Sequence, residues 1–350
     1  MTPHDPQTVL VTGGAGFIGS NLADRLASDG HRVIILDTLK RPGVQRNLDW
    51  LRSKHGGRIE ARIEDVRDAV AVGRAVGEAS AIFHLAAQVA VTTSLIDPME
   101  DFAVNVVGTL NVLEAARRDR TPVIFASTNK VYGALSDVEM GIEDEAWRPK
   151  GPELKGGVDE ARALDFHTPY GCSKGAADQY VLDYARSFGV PSCVLRMSCI
   201  YGPRQRGTED QGWVAHFLIR ALEGRPISLY GDGRQVRDIL YVDDAVAAYL
   251  AAWRRIDAVS GQAFNLGGGP DNAVSLREVI ARIELLISRK IDLRFDDWRA
   301  GDQRFFVADA TAAQTALGLN RPKPWTEGLA LLADWLSSEA PDATRRDVAA

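Results

Sequence analysis

Tyr170 and Lys174 stand four residues apart in Tyr170-Gly171-Cys172-Ser173-Lys174, a spacing that puts both side chains on one face of a helix. An ammonium beside a phenol favours the phenolate, and a tyrosine so placed can serve as a base near neutral pH. Alone, the pattern arises by chance on many helices. It gains meaning from Ser127-Thr128, which closes the apolar run Val123–Ala126. Strand carboxyl ends line the ligand crevice of open α/β sheets, so Thr128 would share with Tyr170 the hydrogen bond to a reacting oxygen. Thr128, Tyr170 and Lys174 are the candidate catalytic set.

A redox partner for this proton chemistry is written near the amino terminus. Gly13-Gly14-Ala15-Gly16-Phe17-Ile18-Gly19 lies between an apolar run, Val9–Val11, and a helical pattern, Phe17–Ser28. Gly13, Gly16 and Gly19 permit a tight turn, close approach of a pyrophosphate and close helix–strand packing, and the helix offers its free N–H groups to the phosphates. Asp37 ends the second strand, Val33–Leu36. A carboxylate there accepts hydrogen bonds from the adenosine ribose and repels a 2′-phosphate, which favours NAD over NADP. An oxidised nicotinamide would add a second positive charge near Tyr170. Asp65-Val66-Arg67-Asp68 follows the third strand. A carboxylate in that run either reaches the adenine amino group or caps the helix that begins at Arg67, and both readings can hold for different residues.

These residues need elements to position them. Further apolar strands are expected at Arg58–Ile63, Ala81–Leu85, Val123–Ala126 and Ser192–Leu195, with helices at Met99–Arg118 and Tyr170–Phe188. Short runs that are apolar throughout suit strands buried on both faces of a parallel sheet, joined by right-handed crossover helices. The fold class is therefore α/β: a Rossmann-type doubly wound parallel sheet with a smaller C-terminal lobe. Residues 1–201 are read as mainly the dinucleotide-binding part, 202–337 as mainly the substrate lobe and 338–350 as a tail. Leu135–His167, acidic and rich in Gly and Pro, is read as a long loop near the active site. The lobe is expected to hold a loop (Pro203–Gly212), helices Trp213–Glu223 and Val242–Trp253, and a short strand, Ile227–Leu229.

Composition narrows the function. A formal charge of −6 and no block of Lys and Arg speak against a nucleic-acid partner. No apolar run approaches the ~20 residues that span a bilayer, and Met1–Gln7 lacks a signal pattern. Cys172, Cys193 and Cys199 are odd in number and form no Cys-x-x-Cys pair, which fits reduced cytoplasmic thiols and no structural metal. His167 and His216 carry no metal-ligand spacing.

The motifs resemble the extended short-chain dehydrogenase/reductase family of nucleotide-sugar epimerases and dehydratases. They are joined by His84-Leu85-Ala86-Ala87, Asn105 with Gly108-Thr109, Tyr201-Gly202-Pro203, and Arg237-Asp238 followed by Tyr241-Val242-Asp243-Asp244. Within that family the chain is similar to the CDP-paratose 2-epimerase (CDP-tyvelose epimerase) branch. Five stretches carry this: Gln88–Ser94, Ser127–Gly133, Leu164–Tyr180, Asp210–Val214 and Gly301–Arg304. The resemblance implies bound NAD, contacted by Gly13, Gly16, Phe17, Ile18, Gly19, Asp37, Asp65, Val66, Leu85, Ala86, Ala87, Gln88, Tyr170, Lys174 and Ser198. It implies a nucleotide-sugar substrate, with a CDP-hexose favoured, contacted by Thr93, Asn129, Cys199, Gln211, Trp213, Arg237 and Arg299. It also implies a homodimer or homotetramer built on a helix bundle near Met99–Arg118 and Tyr170–Phe188.

The implied reaction is redox-neutral: oxidation of one sugar carbon to a ketone, rotation of the sugar, and reduction from the other face. In this branch the carbon is C2. Rivals on the same scaffold are a 4-epimerase and a 4,6-dehydratase. The dehydratases resembling this chain carry Asp-Glu after the threonine, where this sequence has Asn129 and Lys130, which cannot replace an acid–base carboxyl pair. A reading of another class is a non-catalytic NAD-binding protein; the intact Thr128, Tyr170 and Lys174 argue against it. Several residues stay open to two readings. Asn129 contacts substrate or only forms a turn, and Lys130 can be structural. Cys199 is a base or a packed residue. Arg237 clamps a diphosphate or pairs with Asp238, and Arg299 and Arg304 are weaker versions of the phosphate case. Trp213 stacks on a base or anchors its helix. His84 reads as structural.

Overall fold

The computed structural model describes residues 5–152, 154–299 and 301–339. Five strands come early: β1 (Thr8–Thr12), β2 (Arg32–Leu36), β3 (Ile59–Arg62), β4 (Ala81–His84) and β5 (Val123–Thr128). A hairpin, β6 (Met140–Glu143) and β7 (Ala146–Pro149), follows. The rest are β8 (Ser192–Met197), β9 (Cys199–Tyr201), β10 (Ile227–Tyr230), β11 (Val236–Tyr241), β12 (Gln262–Leu266), β13 (Ala273–Ser275), β14 (Leu293–Asp296) and β15 (Phe305–Phe306). Seven of them form one parallel sheet in the order β12-β8-β5-β4-β1-β2-β3. The order reverses at β1, which lies between β4 and β2, and a crevice opens beyond the carboxyl ends at such a switch point.

Period-two alternation assigns each face of the sheet. Val9, Val11, Val33 and Ile35 pack with Leu22 and Leu26 of α1 (Phe17–Ser28) and Leu48 and Leu51 of α2 (Val44–His55). Leu10, Ile34, Leu36, Ile82 and Phe125 face the other way. There they meet Val72 of α3 (Ala69–Val76), and Val112 and Leu113 of the helix Gly108–Asp119, which leads to β5. Both faces being covered explains why the strands read as unbroken apolar runs.

The structure departs from the sequence reading at several points. The helix expected over Met99–Arg118 is preceded by α4 (Val91–Ile96) and divides into α5 (Pro98–Phe102), a π-helical turn (Ala103–Val107) and α6 (Gly108–Asp119). The acidic loop contains β6 and β7, because Trp147 N–H donates to the Arg234 carbonyl at 2.9 Å and ties the hairpin to the lobe. The helix carrying Tyr170, α7 (Thr168–Phe188), starts two residues early with Pro169 in its first turn, where proline costs no hydrogen bond. Finally, β12 returns from the second half to close the main sheet, and Tyr249 and Trp253 of a later helix, Val242–Arg254, pack on that sheet.

The lobe is a small sheet in the order β13-β11-β15, with β9 also on β11, and a separate β10–β14 pair. Helix α8 (Trp213–Leu222) covers it. Helix Trp325–Glu339 runs into the stretch read as a tail; residues 340–350 of that stretch lie outside the described residues. No helix among the described residues is long and apolar enough to cross a membrane.

Candidate active site

One cleft of about 860 Å³ runs along the carboxyl edge of the sheet and under the lobe, and every candidate catalytic, cofactor and substrate residue named from the sequence except Arg304 lines it. At its first end the chain leaves β1 through Gly13, whose φ is +67°. A Cβ on Gly13 would lie 2.8 Å from Ala86 N, and one on Gly19 would lie 2.2 Å from the Gly13 carbonyl oxygen. Only glycine lets α1 start this close to the turn. Asp37 holds the loop in place: its Oδ2 accepts from Ala15 N–H at 3.1 Å and its Oδ1 from Leu39 N–H at 2.9 Å. Burial raises the Asp37 pKa, and those N–H groups and Arg41 oppose the rise.

The two carboxylates of the Asp65–Asp68 run have separate places. Asp68 caps α3, accepting from Val70 and Ala71 N–H, while Asp65 lines the cleft and is chelated by Arg67 at 2.7 and 3.0 Å. Val66, Leu85, Ala86 and Ala87 supply apolar wall between them and the sheet. His84 hydrogen-bonds Thr12 at 2.7 Å and Thr109 at 3.0 Å, and burial pushes its pKa down to about 3, so it is a neutral structural residue. A glycine turn without room for a Cβ, a helix amino end facing the cleft and a carboxylate at the end of β2 together suit a dinucleotide.

At the middle of the cleft β5 delivers Thr128 and α7 delivers Tyr170 and Lys174. Thr128 and Tyr170 both line the cleft, and the Thr128 hydroxyl bears on the Tyr170 phenol. Burial pushes Tyr170 up to about 12, with Thr128 opposing and the Asp101 charge adding to the rise. Lys174 is buried, donates to the Ala126 carbonyl at 2.6 Å and lies 4.0 Å over the Phe125 ring. Burial drops its pKa to about 7, against the pull of Asp178 and Asp101. The phenolate anticipated from the Tyr–Lys spacing is therefore not favoured by Lys174 here, because the ammonium is committed to the backbone of β5. Ser94 Oγ accepts from Tyr170 N–H at 3.2 Å and fixes the start of α7.

The far end belongs to the lobe. Asn129 is buried and accepts from Thr128 Oγ at 3.4 Å. Lys130 donates to the Gly301 carbonyl at 3.2 Å and to Gln303 Oε1 at 3.4 Å; burial, helped by Arg237, brings it down to about 8. Thr93 enters from α4. Trp213 starts α8, packs edge-on against Phe217 and donates to Cys199 Sγ at 3.4 Å, so it anchors its helix and lines the cleft at once. Burial raises the Cys199 thiol, which suits a packed residue rather than a base. Arg237 is buried and does not pair with Asp238: it grips Asp302 and the Gln303 carbonyl, both at 2.6 Å. Asp238 instead accepts from the Ser198 hydroxyl and, at 3.2 Å, from Gly269 N–H. Arg299 lies 3.6 Å over the Tyr230 ring and donates to the Glu209 carbonyl, while Gln211 accepts from Arg41 across the cleft. Arg304 lies over Trp147 and is not among the lining residues.

Sequence reasoning missed Asp101 and the roles of Ser173 and Asn105 around it. The available signal was an acid in Met99-Glu100-Asp101-Phe102, which reads as helix surface until the π turn is known.

Residues 9–267 match the NAD-dependent epimerase/dehydratase family. The chain is 43% identical over 341 residues to CDP-paratose 2-epimerase of Salmonella typhi, covering 94% of this chain and 99% of that protein. It is 34% identical to UDP-glucose 4-epimerase of Mycolicibacterium smegmatis, covering 95% and 99%. The crystal structure of UDP-glucuronic acid 4-epimerase from Bacillus cereus, in complex with UDP-glucuronic acid and NAD, superposes with a TM-score of 0.82 at 27% identity, covering 95% of this chain and all of that one.

Proposed function

The chain belongs to the NAD-dependent epimerase/dehydratase family, and from that premise we propose that it inverts C2 of a CDP-linked hexose of the paratose/tyvelose type. The observation that carries the reading is the shelf Thr128-Asn129-Lys130 beside Tyr170: a hydroxyl, an amide and an ammonium, with no carboxyl to take water from a keto-sugar. Asp302, whose charge acts on Lys130, is held by Arg237. The 43% identity to a 2-epimerase supports the choice of carbon and of CDP.

When bound, NAD would supply the hydride acceptor and donor that oxidation and re-reduction at C2 require. Gly13 to Gly19, Asp37 and Asp65 would hold its adenosine half, and Lys174 and Ser198 its nicotinamide end. Tyr170 receives the C2 hydroxyl proton at its phenolic oxygen and gives it back after the sugar has turned. Thr128 holds the sugar oxygen in line, and Lys174 supplies the positive charge that a phenolate needs once its ammonium turns from Ala126. Arg237 and Arg299 would bind the diphosphate. Trp213 borders the sugar or base.

We further read the protein as a cytoplasmic homo-oligomer. Leu95, Ile96, Met99, Phe102, Val107 and Tyr180 are exposed apolar or aromatic side chains on α4, α5, the π turn and α7, a patch suited to a second copy.

The deciding experiment incubates the protein with CDP-, GDP- and UDP-hexoses, including 6-deoxy and 3,6-dideoxy forms, and follows products by mass spectrometry and proton NMR. A sugar of unchanged mass with an altered coupling at C2 is expected. Loss of water would make the protein a dehydratase, and inversion at C4 alone a 4-epimerase.

A further inference from the structure

Asp101 has no solvent exposure, although it lies in the five-residue helix α5 between the exposed side chains of Met99 and Phe102. A carboxylate is seldom taken out of water without partners. Asp101 has three. Its Oδ2 accepts from Ser173 Oγ at 2.5 Å, and its Oδ1 accepts from Gln88 Nε2 at 3.1 Å and Asn105 Nδ2 at 3.2 Å. The π turn brings Asn105 inward, and its amide closes the ring. Its Nδ2 also reaches Ser173 Oγ at 3.0 Å and the Gln88 carbonyl at 3.1 Å, while its Oδ1 accepts from Gln88 N–H at 2.9 Å. Ser173 sits next to Lys174 and three residues after Tyr170, and Gln88 lines the cleft opposite.

The charges around this ring are few. Facing Asp101 from α7 are Tyr170, Lys174 and the neutral Ser173, and from the other elements, among the described residues, the neutral Gln88 and Asn105. Lys174 feels two carboxylates, Asp178 and Asp101. Asp178 is already bound by Arg196 through two contacts of 2.9 Å, and His84, behind Lys174, is neutral. Asp178 is the stronger of the two and is shared with Arg196; Asp101 is the second carboxylate that favours the Lys174 ammonium.

Resting on the roles given above to Tyr170 and Lys174, we propose that Asp101 is a positioning residue for that pair. Through Ser173 it fixes the first turn of α7, through Gln88 it fixes the facing wall, and its charge keeps the proton on Lys174. An amide at this position could keep the two contacts at Oδ1, but it carries no charge and its NH₂ would turn the Ser173 hydroxyl away, towards the Tyr170 carbonyl 3.2 Å off.

The test uses the full chain saturated with NAD, with D101N, S173A and Y170F. Asp101 raises the pKa of both Lys174 and Tyr170, so removing its charge lowers both. The pH profile of kcat for D101N should move towards acid by about one pH unit. S173A keeps the charge and should lose kcat about tenfold with KM little changed and the profile unmoved. Ultraviolet titration of tyrosinate, with Y170F as the blank, should show Tyr170 ionising at lower pH in D101N. A D101N profile that only loses height, or a phenol titration that does not move, overturns the proposal. Should D101N fail to fold, S173A decides alone: unchanged kcat refutes the positioning role. If Y170F keeps full activity, the catalytic reading itself fails, whatever D101N shows.

Discussion

Replacing Lys174 by methionine should make the dinucleotide-free protein more stable while abolishing turnover. Lys174 is 3% exposed, and burial brings its pKa from 10.5 to about 7. Below pH 7 the lysine is charged in both the folded and unfolded chain, and the fold carries the whole cost, about 5 kcal/mol at about 1.4 kcal/mol per pH unit. Between pH 7 and 10.5 the unfolded chain holds a proton that the folded one has released, so stability rises with pH across that window and the cost is gone above it. Methionine keeps most of the stem over Phe125 but leaves the Ala126 carbonyl without its 2.6 Å donor, a loss of about 1–3 kcal/mol. A net gain of about 2–4 kcal/mol near pH 7 remains. Urea unfolding of both proteins from about pH 6 to pH 9 should show K174M ahead, with its lead shrinking by about 2 kcal/mol between pH 7 and pH 9. Two stabilities that run parallel in pH, or a wild-type protein that is the more stable at pH 6, would refute the reasoning.

Three other perturbations follow from the same contacts. G19A places a Cβ 2.2 Å from the Gly13 carbonyl oxygen. The turn or α1 must then shift, at about 1–3 kcal/mol, and NAD per chain, read from the adenine absorbance of the denatured protein's supernatant, should fall; full retention would contradict this. R196M strips the fully buried Asp178 of its bidentate partner and should cost about 3–5 kcal/mol in denaturant unfolding, whereas an unchanged midpoint would show that Ser127 and Gln179, which also donate to it, satisfy the carboxylate. D37S removes the charge that opposes a 2′-phosphate and should raise the affinity for NADP relative to NAD in a binding titration; a constant ratio would remove Asp37 from cofactor choice.

The parts of the fold that could be read from the sequence are those whose burial is two-sided. Val9–Val11, Val33–Leu36 and Ala81–Phe83 are apolar at every position because helices cover both faces, and no distant partner is needed to see them as strands. The β6–β7 hairpin has no such pattern. It forms in an acidic, glycine-bearing stretch because Trp147 finds the Arg234 carbonyl and the Asp232 carboxylate on the lobe, contacts that are distant in sequence and leave no periodic trace. The same distinction explains β12, whose place in the sheet is decided by its pairing with β8.

The site divides along similar lines. Gly13, Asp37, Thr128 and Tyr170 were legible because each stands at a fixed offset from a strand or helix end, and the crevice lies where those ends meet. Arg237 was legible as an arginine of the cleft but not as the partner of Asp302, since Asp238 is nearer in sequence and points into the lobe core. Asp101 was hidden for a stronger reason. Between Glu100 and Phe102 it looks like solvated helix surface, and only the extra residue per turn of the π segment rotates Asn105 and the carboxylate under α7. π turns are frequent at functional sites because they reorient one side chain without ending a helix. Here the reoriented groups are those that bear on Lys174 and Tyr170, so the least legible stretch of the chain is also the one that sets the charge balance of the proposed chemistry.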